Sequence, residues 1–174
     1  YISGGDCPSL IKEFFGAEIT GRTTETVTYI APIPEKLPRF GDFTKDYPLH
    51  FDGSLPIAKG IDKSRILAEI TLPYTPQNVQ NFASIHSNPP VETTSYPAVA
   101  EVSYGKGRAL WLGVAFDGYT GRQHRAIIMA ILRRYLAESE QTLVTGAPKM
   151  VEAVVYESER EWQISFCNVG DAED

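Results

Sequence analysis

Apolar residues first recur at helical spacing close to the beginning of the chain. The apolar stripe consists of Leu10, Ile11, Phe14 and Phe15. Asp6 is placed to cap a helix, Pro8 suits its first turn, and Gly16 suits its C-terminal end. Residues 1–5 (Tyr-Ile-Ser-Gly-Gly) precede this helix and predict a strand that runs into a tight turn. The opening therefore predicts a strand–turn–helix piece of an α/β unit.

Runs rich in β-branched and apolar residues follow, and they predict strands. These runs are Glu25–Ile30, Arg65–Leu72, Phe82–His86, Pro97–Tyr104 and Arg108–Ala115. The last two are joined by Gly105-Lys106-Gly107, which predicts a β-hairpin. Arg108–Ala115 is almost continuously apolar, so we expect it to be buried on both faces of a sheet. Gly121–Leu136 then has apolar residues at helical spacing and predicts a long helix.

The stretch from Ala31 to Lys59 breaks this pattern. It carries five prolines and the aromatic residues Phe40, Phe43, Tyr47 and Phe51. It is too long for a simple connection and too aromatic for a flexible linker. We expect an ordered irregular excursion that packs on the domain or on a neighbouring subunit.

The chain changes character after residue 145. Glu138–Lys149 is polar and contains Gly146 and Pro148, which is typical of a boundary. Met150–Tyr156 and Trp162–Asn168 then predict two strands. The sequence therefore predicts an α/β domain over residues 1–145 and the first hairpin of a C-terminal β domain over residues 150–174.

Composition and charge narrow the classes of partner. The 174 residues are 43% hydrophobic, which is enough for one sizeable core, and the formal net charge is -6. An acidic chain without a basic stripe argues against nucleic acid as a partner, and no run approaches the roughly 20 apolar residues that span a bilayer. Two widely separated cysteines, Cys7 and Cys167, predict neither a disulfide framework nor a cysteine metal site. They fit a reducing, cytoplasmic compartment, and a secreted parent with free thiols is the alternative.

Cys7 is the position that most resembles a catalytic nucleophile. It lies in a glycine turn at the start of a helix, where a thiol pKa is lowered. Such a thiol needs a histidine base, and His86, at the end of an apolar run, is the candidate. Pro8 follows where a nucleophile elbow would have glycine, so we favour a packing role for Cys7 and a structural role for His86.

Other groups give weaker signals. His50 and His124 have no spacing to cysteines or carboxylates that predicts a metal site. A glycosidase needs two carboxylates that flank the scissile bond, whereas the acidic residues here cluster in the irregular stretch and in a predicted turn. These acids are Asp42, Asp46, Asp52, Glu157, Glu159 and Glu161. We therefore predict no catalytic pair, no metal and no cofactor in this chain.

Aromatic residues leave one alternative open, a carbohydrate-binding module in which rings stack on sugars. The candidates are Phe40, Phe43, Tyr47, Phe51, Trp111, Phe116 and Tyr119. Core or interface packing explains such residues equally well.

Several motifs, in order, resemble the trimerisation domain of family forty-two β-galactosidases and related glycoside hydrolases. Residues 96–99 (Tyr-Pro-Ala-Val), 104–108 (Tyr-Gly-Lys-Gly-Arg) and 109–113 (Ala-Leu-Trp-Leu-Gly) look like its closing strands. Residues 1–16, with Leu10 and Phe14-Phe15-Gly16, resemble its strand–turn–helix segment. Residues 82–90 resemble the segment before the closing hairpin, and Val151–Asn168 resembles the start of the β-sandwich that ends these enzymes.

The resemblance implies a flavodoxin-like, class I glutamine amidotransferase-like α/β fold without the amidotransferase triad. The first elements of that fold are missing before Tyr1, so we expect a longer native polypeptide. It also implies a non-catalytic structural domain that self-associates, as a trimer, within a glycoside hydrolase whose carbohydrate substrate binds elsewhere. The alternatives are a cysteine-dependent amidotransferase-like hydrolase that uses Cys7 and His86, and the carbohydrate-binding module.

Overall fold

Antiparallel strands dominate the computed structural model of this chain. The structure describes residues 7–37, 40–76, 80, 82, 88–116, 122–135, 146–148 and 150–168. It divides into two compact units, Tyr1–Ile131 and Leu132–Asp174.

Two helices and nine strands are defined among these residues. The helices are α1 (Pro8–Phe15) and α2 (Arg122–Tyr135). The strands are β1 (Glu18–Arg22), β2 (Val27–Pro32), β3 (Leu49–Asp52), β4 (Pro56–Lys59), β5 (Ile66–Pro73), β6 (Pro90–Tyr104), β7 (Gly107–Leu112), β8 (Val151–Glu157) and β9 (Trp162–Asn168). No helix in the described part of the chain has the length and apolar character needed to cross a bilayer.

The first unit is built on a five-stranded sheet with the order β3-β2-β5-β6-β7. Each neighbouring pair in this sheet is antiparallel. β1 and β4 form a separate antiparallel pair. The flavodoxin-like prediction is therefore wrong, because that fold needs parallel strands joined by helical crossovers. The apolar runs were compatible with either pairing, and the hairpin connections settle the direction.

A first core lies between α1 and the β6–β7 hairpin. Antiparallel register places Ala100 opposite Trp111, so both side chains lie on the same face of the sheet. Trp111 is fully buried there, in a cluster with Ile11 and Phe15 of α1. Gly16 ends the helix with φ 64°, a left-handed conformation that suits glycine.

A second set of buried residues uses the alternate positions of the same strands. Val99 and Leu112 are opposite each other and point away from the Trp111 face; both are buried. Phe40 and Phe116 are also buried, with ring centroids 5.5 Å apart. Burial on both faces of β7 confirms what its continuous apolar run predicted.

Several predicted elements are confirmed, with ends that shift by a few residues, except that β6 begins at Pro90 and not at Pro97. These are α1, β2, β5, the β6–β7 hairpin, α2, and the two strands β8 and β9. The predicted N-cap is wrong, because Cys7 occupies that position; Asp6 lies outside the described residues. The opening strand and most of Phe82–His86 also lie outside them.

The irregular excursion over Ala31–Lys59 is the main local correction. It contains two short strands, β3 and β4, each of which pairs with another strand. Phe40 and Phe51 are buried, whereas Tyr47 is 78% exposed. The prediction of order holds for the described residues, and the prediction of irregularity is wrong for these two strands.

The described strands of the second unit, β8 and β9, form an antiparallel pair over seven residue positions. Val151 is opposite Asn168 at one end, and Glu157 is opposite Trp162 next to the turn. In that turn Ser158 N donates to Glu161 O at 2.9 Å. The acidic residues Glu157, Glu159 and Glu161 therefore lie at the exposed tip of the hairpin, as expected from the sequence. The predicted domain boundary after residue 145 stays a prediction.

Candidate functional site

Cys7 lies at the start of α1 in a half-buried position. Its backbone carbonyl accepts from Ile11 N at 3.0 Å, and its side chain makes no capping hydrogen bond. The side chain packs against the buried cluster around Trp111. This contact is that of a small packing residue. His86 lies outside the described residues, so the Cys7–His86 arrangement stays a prediction.

A histidine–carboxylate pair at the end of β3 is a feature that sequence analysis missed. His50 Nε2 lies 3.3 Å from Asp52 Oδ1, and both side chains are exposed. The two residues are two positions apart on one strand, so their side chains point to the same side. Identification of β3 from the sequence would have brought them together. Solvent and salt screen an exposed pair of this kind, so its attraction is weak.

Two further side chains adjoin that pair. Tyr29 is the cross-strand partner of His50, with ring centroids 5.5 Å apart, and its hydroxyl donates to Asn88 O at 2.5 Å. Burial, and then the negative charge of Asp52, raise the Tyr29 pKa, so the hydroxyl stays protonated near neutral pH. Burial and the nearby His50 lower the His124 pKa, and Asp52 partly opposes this. Both shifts favour the uncharged forms of Tyr29 and His124 near neutral pH.

Metal chemistry finds no support in the described ranges, where no group of three or more His, Cys, Asp or Glu side chains is placed to hold an ion. Asp42 and Asp46 are exposed. They lie in the first unit, whereas the acidic tip of β8 and β9 belongs to the second.

The candidate sugar-stacking aromatics divide into two groups. Phe40, Phe51, Trp111 and Phe116 are buried in the core. Their rings are therefore unavailable to a ligand. Tyr47 remains exposed, Phe43 is half-buried, and Tyr119 lies outside the described residues.

A basic cleft in the first unit was not anticipated. The cleft lies between β6 and the segment that follows β4, and its volume is about 280 Å³. Its lining includes Lys59, Lys63, Ser95, Tyr96 and Pro97. We call it the Lys59–Tyr96 cleft. Both lysines are exposed, Tyr96 is half-buried and Pro97 is buried, and more of the cleft surface is apolar than polar.

One face of the β8–β9 hairpin is mostly apolar; its apolar β8 side chains are half-buried and its apolar β9 side chains are exposed. Register places six apolar side chains on this face, with Asn168 at one end and Glu157 at the other, and we call it the hairpin face. They are Val151, Ala153, Val155, Trp162, Ile164 and Phe166. Trp162 is 54% exposed and Phe166 is 60% exposed. The opposite face is more polar, with Glu152, Gln163 and Ser165 beside Val154 and Tyr156.

Comparison of the chain with protein-family models, with curated proteins and with solved structures finds no match. The family resemblance therefore rests on the sequence motifs.

Proposed function

We propose that this chain is a non-catalytic structural domain that self-associates, as part of a larger carbohydrate-active glycoside hydrolase. The single observation that carries self-association is the hairpin face. The carbohydrate-active parent is supported by the ordered motifs that resemble the trimerisation domain of β-galactosidases. The flavodoxin-like fold that this resemblance implied forms no part of the proposal.

The hairpin face needs a cover on energetic grounds. A two-stranded sheet alone is at best marginally stable in water, and it gains stability when an apolar face is buried. Trp162 and Phe166 are both more than half exposed. Aromatic side chains of this size bury about 150–250 Å² each when fully covered. Burial of this face therefore supplies a driving force for association.

We propose a second copy of the chain as the occupant in a solution of the isolated chain, where it takes the place of the further β-sandwich strands that the resemblance of Val151–Asn168 implies. Every copy presents the same apolar strip, and its opposite face can remain in water. A stable interface buries roughly 800 Å² per partner, whereas this strip belongs to two paired strands of seven residues each. We therefore expect reversible association between copies of the isolated chain. Acidic residues Glu157, Glu159 and Glu161 at the tip disfavour side-by-side parallel contact of two tips. The resemblance implies a trimer as the final form.

Analytical ultracentrifugation of the chain over a wide concentration range tests this proposal. We expect reversible self-association for the native chain. The double variant Trp162→Ser, Phe166→Ser removes the two largest apolar contacts from the hairpin face and should sediment as a monomer. The matched variant Val154→Ser, Tyr156→Ser changes the opposite face and should associate as the native chain does.

Two outcomes would overturn the proposal. One is a native chain that stays monomeric at every concentration. The other is association that the Trp162→Ser, Phe166→Ser variant retains while circular dichroism shows an intact fold. Release of ammonia from glutamine by the purified chain, abolished by Cys7→Ala, would instead support the cysteine-dependent alternative.

A further inference from the structure

The Lys59–Tyr96 cleft concentrates positive charge on an acidic molecule. The chain as a whole has a formal net charge of -6. Lys59 and Lys63 nevertheless line one cavity, and Lys36 and Arg65 lie beside the turn that carries Lys63. Acidic neighbours are fewer: Glu18 is the cross-strand partner of Lys59, and Asp62 precedes Lys63. The neighbourhood therefore keeps an excess of cations.

Backbone contacts fix the segment that carries Lys63. Lys36 Nζ donates to Lys63 O and, at 3.0 Å, to Ile66 O. Asp62 Oδ1 accepts from Ser64 N at 2.7 Å, which closes the short 3-10 turn Lys63–Arg65. A ligand that meets Lys63 therefore meets a preformed turn and does not have to order it.

Gly60 fixes the backbone of the cleft between Lys59 and Ile61. Its φ is 97°, a conformation that favours glycine. A Cβ at this position would lie 3.4 Å from both the Ala17 Cα and the Gly16 carbonyl oxygen. The backbone of the cleft thus passes close to the end of α1, which holds Lys59 and Ile61 on either side of a fixed bend.

We propose that the Lys59–Tyr96 cleft binds a monosaccharide unit that carries a carboxylate, such as a hexuronate. The lysines pair with the carboxylate. Tyr96 supplies an aromatic ring for the carbon face of a sugar ring, and Pro97 lies next to it in the lining of the cleft. The Ser95 hydroxyl is available to ring hydroxyls. The volume of about 280 Å³ suits one small ligand rather than an extended chain.

The lysines and the aromatic wall of the cleft together select the ligand class. Inorganic phosphate or acetate would use the lysines and leave the aromatic wall uncovered. A neutral sugar would use the wall and leave the lysines unpaired. The choice of a sugar among flat carboxylic acids rests on the proposed carbohydrate-active parent. The site lies in the first unit, so its occupancy and the association through the hairpin face are measured separately.

Isothermal titration calorimetry and ligand-observed NMR on the full chain test the inference, with glucuronate, galacturonate, galactose, acetate and inorganic phosphate as probes. We expect saturable binding of at least one uronate, and at least tenfold weaker binding of galactose and of acetate. The Lys59→Gln, Lys63→Gln variant should lose at least tenfold in uronate affinity. Lys106→Gln changes an exposed lysine in the β6–β7 turn and should bind as the native chain does.

A second variant tests the contribution of the aromatic ring to binding. Tyr96→Leu should weaken uronate binding severalfold and leave the response to phosphate unchanged. Equal binding of phosphate, acetate and uronate would overturn the sugar class and leave an unselective anion site. Absence of uronate binding by the folded native chain would overturn the inference. Because ultracentrifugation reads self-association independently, neither of these results would decide the proposed function.

Discussion

Two antiparallel hairpins in the described part of the chain, β6–β7 and β8–β9, each carry a tryptophan in the second strand. Trp111 in β7 is opposite Ala100 and is completely buried, whereas Trp162 in β9 is opposite Glu157 and is 54% exposed. The local patterns are comparable, since both hairpins place apolar side chains on one shared face. What differs, among the residues that the structure describes, is the presence of a cover over that face.

Helix α1 supplies the cover for the first hairpin. Ile11 and Phe15 pack with Trp111, and the Phe14 ring meets the Tyr104 ring at 4.6 Å. Removal of a side chain as large as that of Trp111 from water covers roughly 200 Å², which is worth about 5 kcal/mol at 25 cal/mol/Å² before entropy is counted. An alternating strand pattern thus tells which residues share a face. It does not tell whether that face is covered.

The largest expected effect comes from truncation of the two tryptophans in turn. Trp111→Ala should lower the free energy of unfolding of the first unit by about 4 kcal/mol, because it leaves a cavity in the core. Trp162→Ala should cost less than about 1 kcal/mol in a dilute, monomeric sample, because half of that side chain already meets water. Urea unfolding followed by circular dichroism measures both.

Trp111→Phe is the control for this pair. Within the described part of the chain the indole N–H of Trp111 makes no hydrogen bond, so the phenyl ring loses volume without a lost hydrogen bond. It should cost clearly less than Trp111→Ala. Similar losses for Trp111→Ala and Trp162→Ala would show that the two hairpins do not differ in cover.

A smaller effect should follow from truncation of a side chain in α1, the helix that covers the first hairpin. Ile11 is fully buried in the cluster that α1 shares with the first hairpin. Ile11→Ala should lower the free energy of unfolding by about 3 kcal/mol and make the Trp111 fluorescence more accessible to a quencher. Lys12→Ala, at an exposed position of the same helix, should change stability by less than about 0.5 kcal/mol. Unchanged quenching in Ile11→Ala would argue that α1 is not the element that protects Trp111.

Local elements were predictable here to the extent that their residues carried a full pattern. The stripe of α1, the apolar run of β5 and the Gly105-Lys106-Gly107 turn each contain their own signal, and each element forms. β3 and β4 are only four residues long and lie among prolines. A strand of that length shows too few alternations to be separated from a loop. Pro56 is tolerated because it is the first residue of β4 in a two-stranded pair.

Strand direction and the candidate sites depended on contacts between distant residues. β2 pairs with β5 although β3 and β4 lie between them in the sequence, and nothing in either strand specifies that partner. Lys59 and Tyr96 likewise come together only because β4 and β6 lie near the same cleft. His50 and Asp52 were the exception. Their spacing of two residues would have placed them together once β3 was identified.

The smallest expected effect is a pH dependence confined to the first unit. His124 is buried beside Phe116, with ring centroids 6.4 Å apart, and burial together with His50 lowers its pKa while Asp52 partly raises it. The unfolded chain, with a His124 pKa of 6.5, then binds more protons than the folded chain as pH falls below 6.5. The free energy of unfolding should therefore decrease from about pH 6.5 towards the folded pKa and level off below it.

Urea midpoints measured between about pH 7.5 and 5.5, a window in which few carboxylates titrate, should show this loss in the native chain. His124→Phe keeps a ring against Phe116 and should flatten the profile, whereas His50→Gln removes one of the charges that lower the His124 pKa and should weaken the dependence without abolishing it. A profile in His124→Phe as steep as that of the native chain would assign the dependence to another group. Strands β8 and β9 contain no histidine, so hydrogen exchange in that hairpin, corrected for the intrinsic pH effect, should not follow the His124 transition. The β8–β9 hairpin would then differ from the first unit in the pH dependence of its stability as well as in burial. The reason is that only a buried histidine is stabilised by staying neutral.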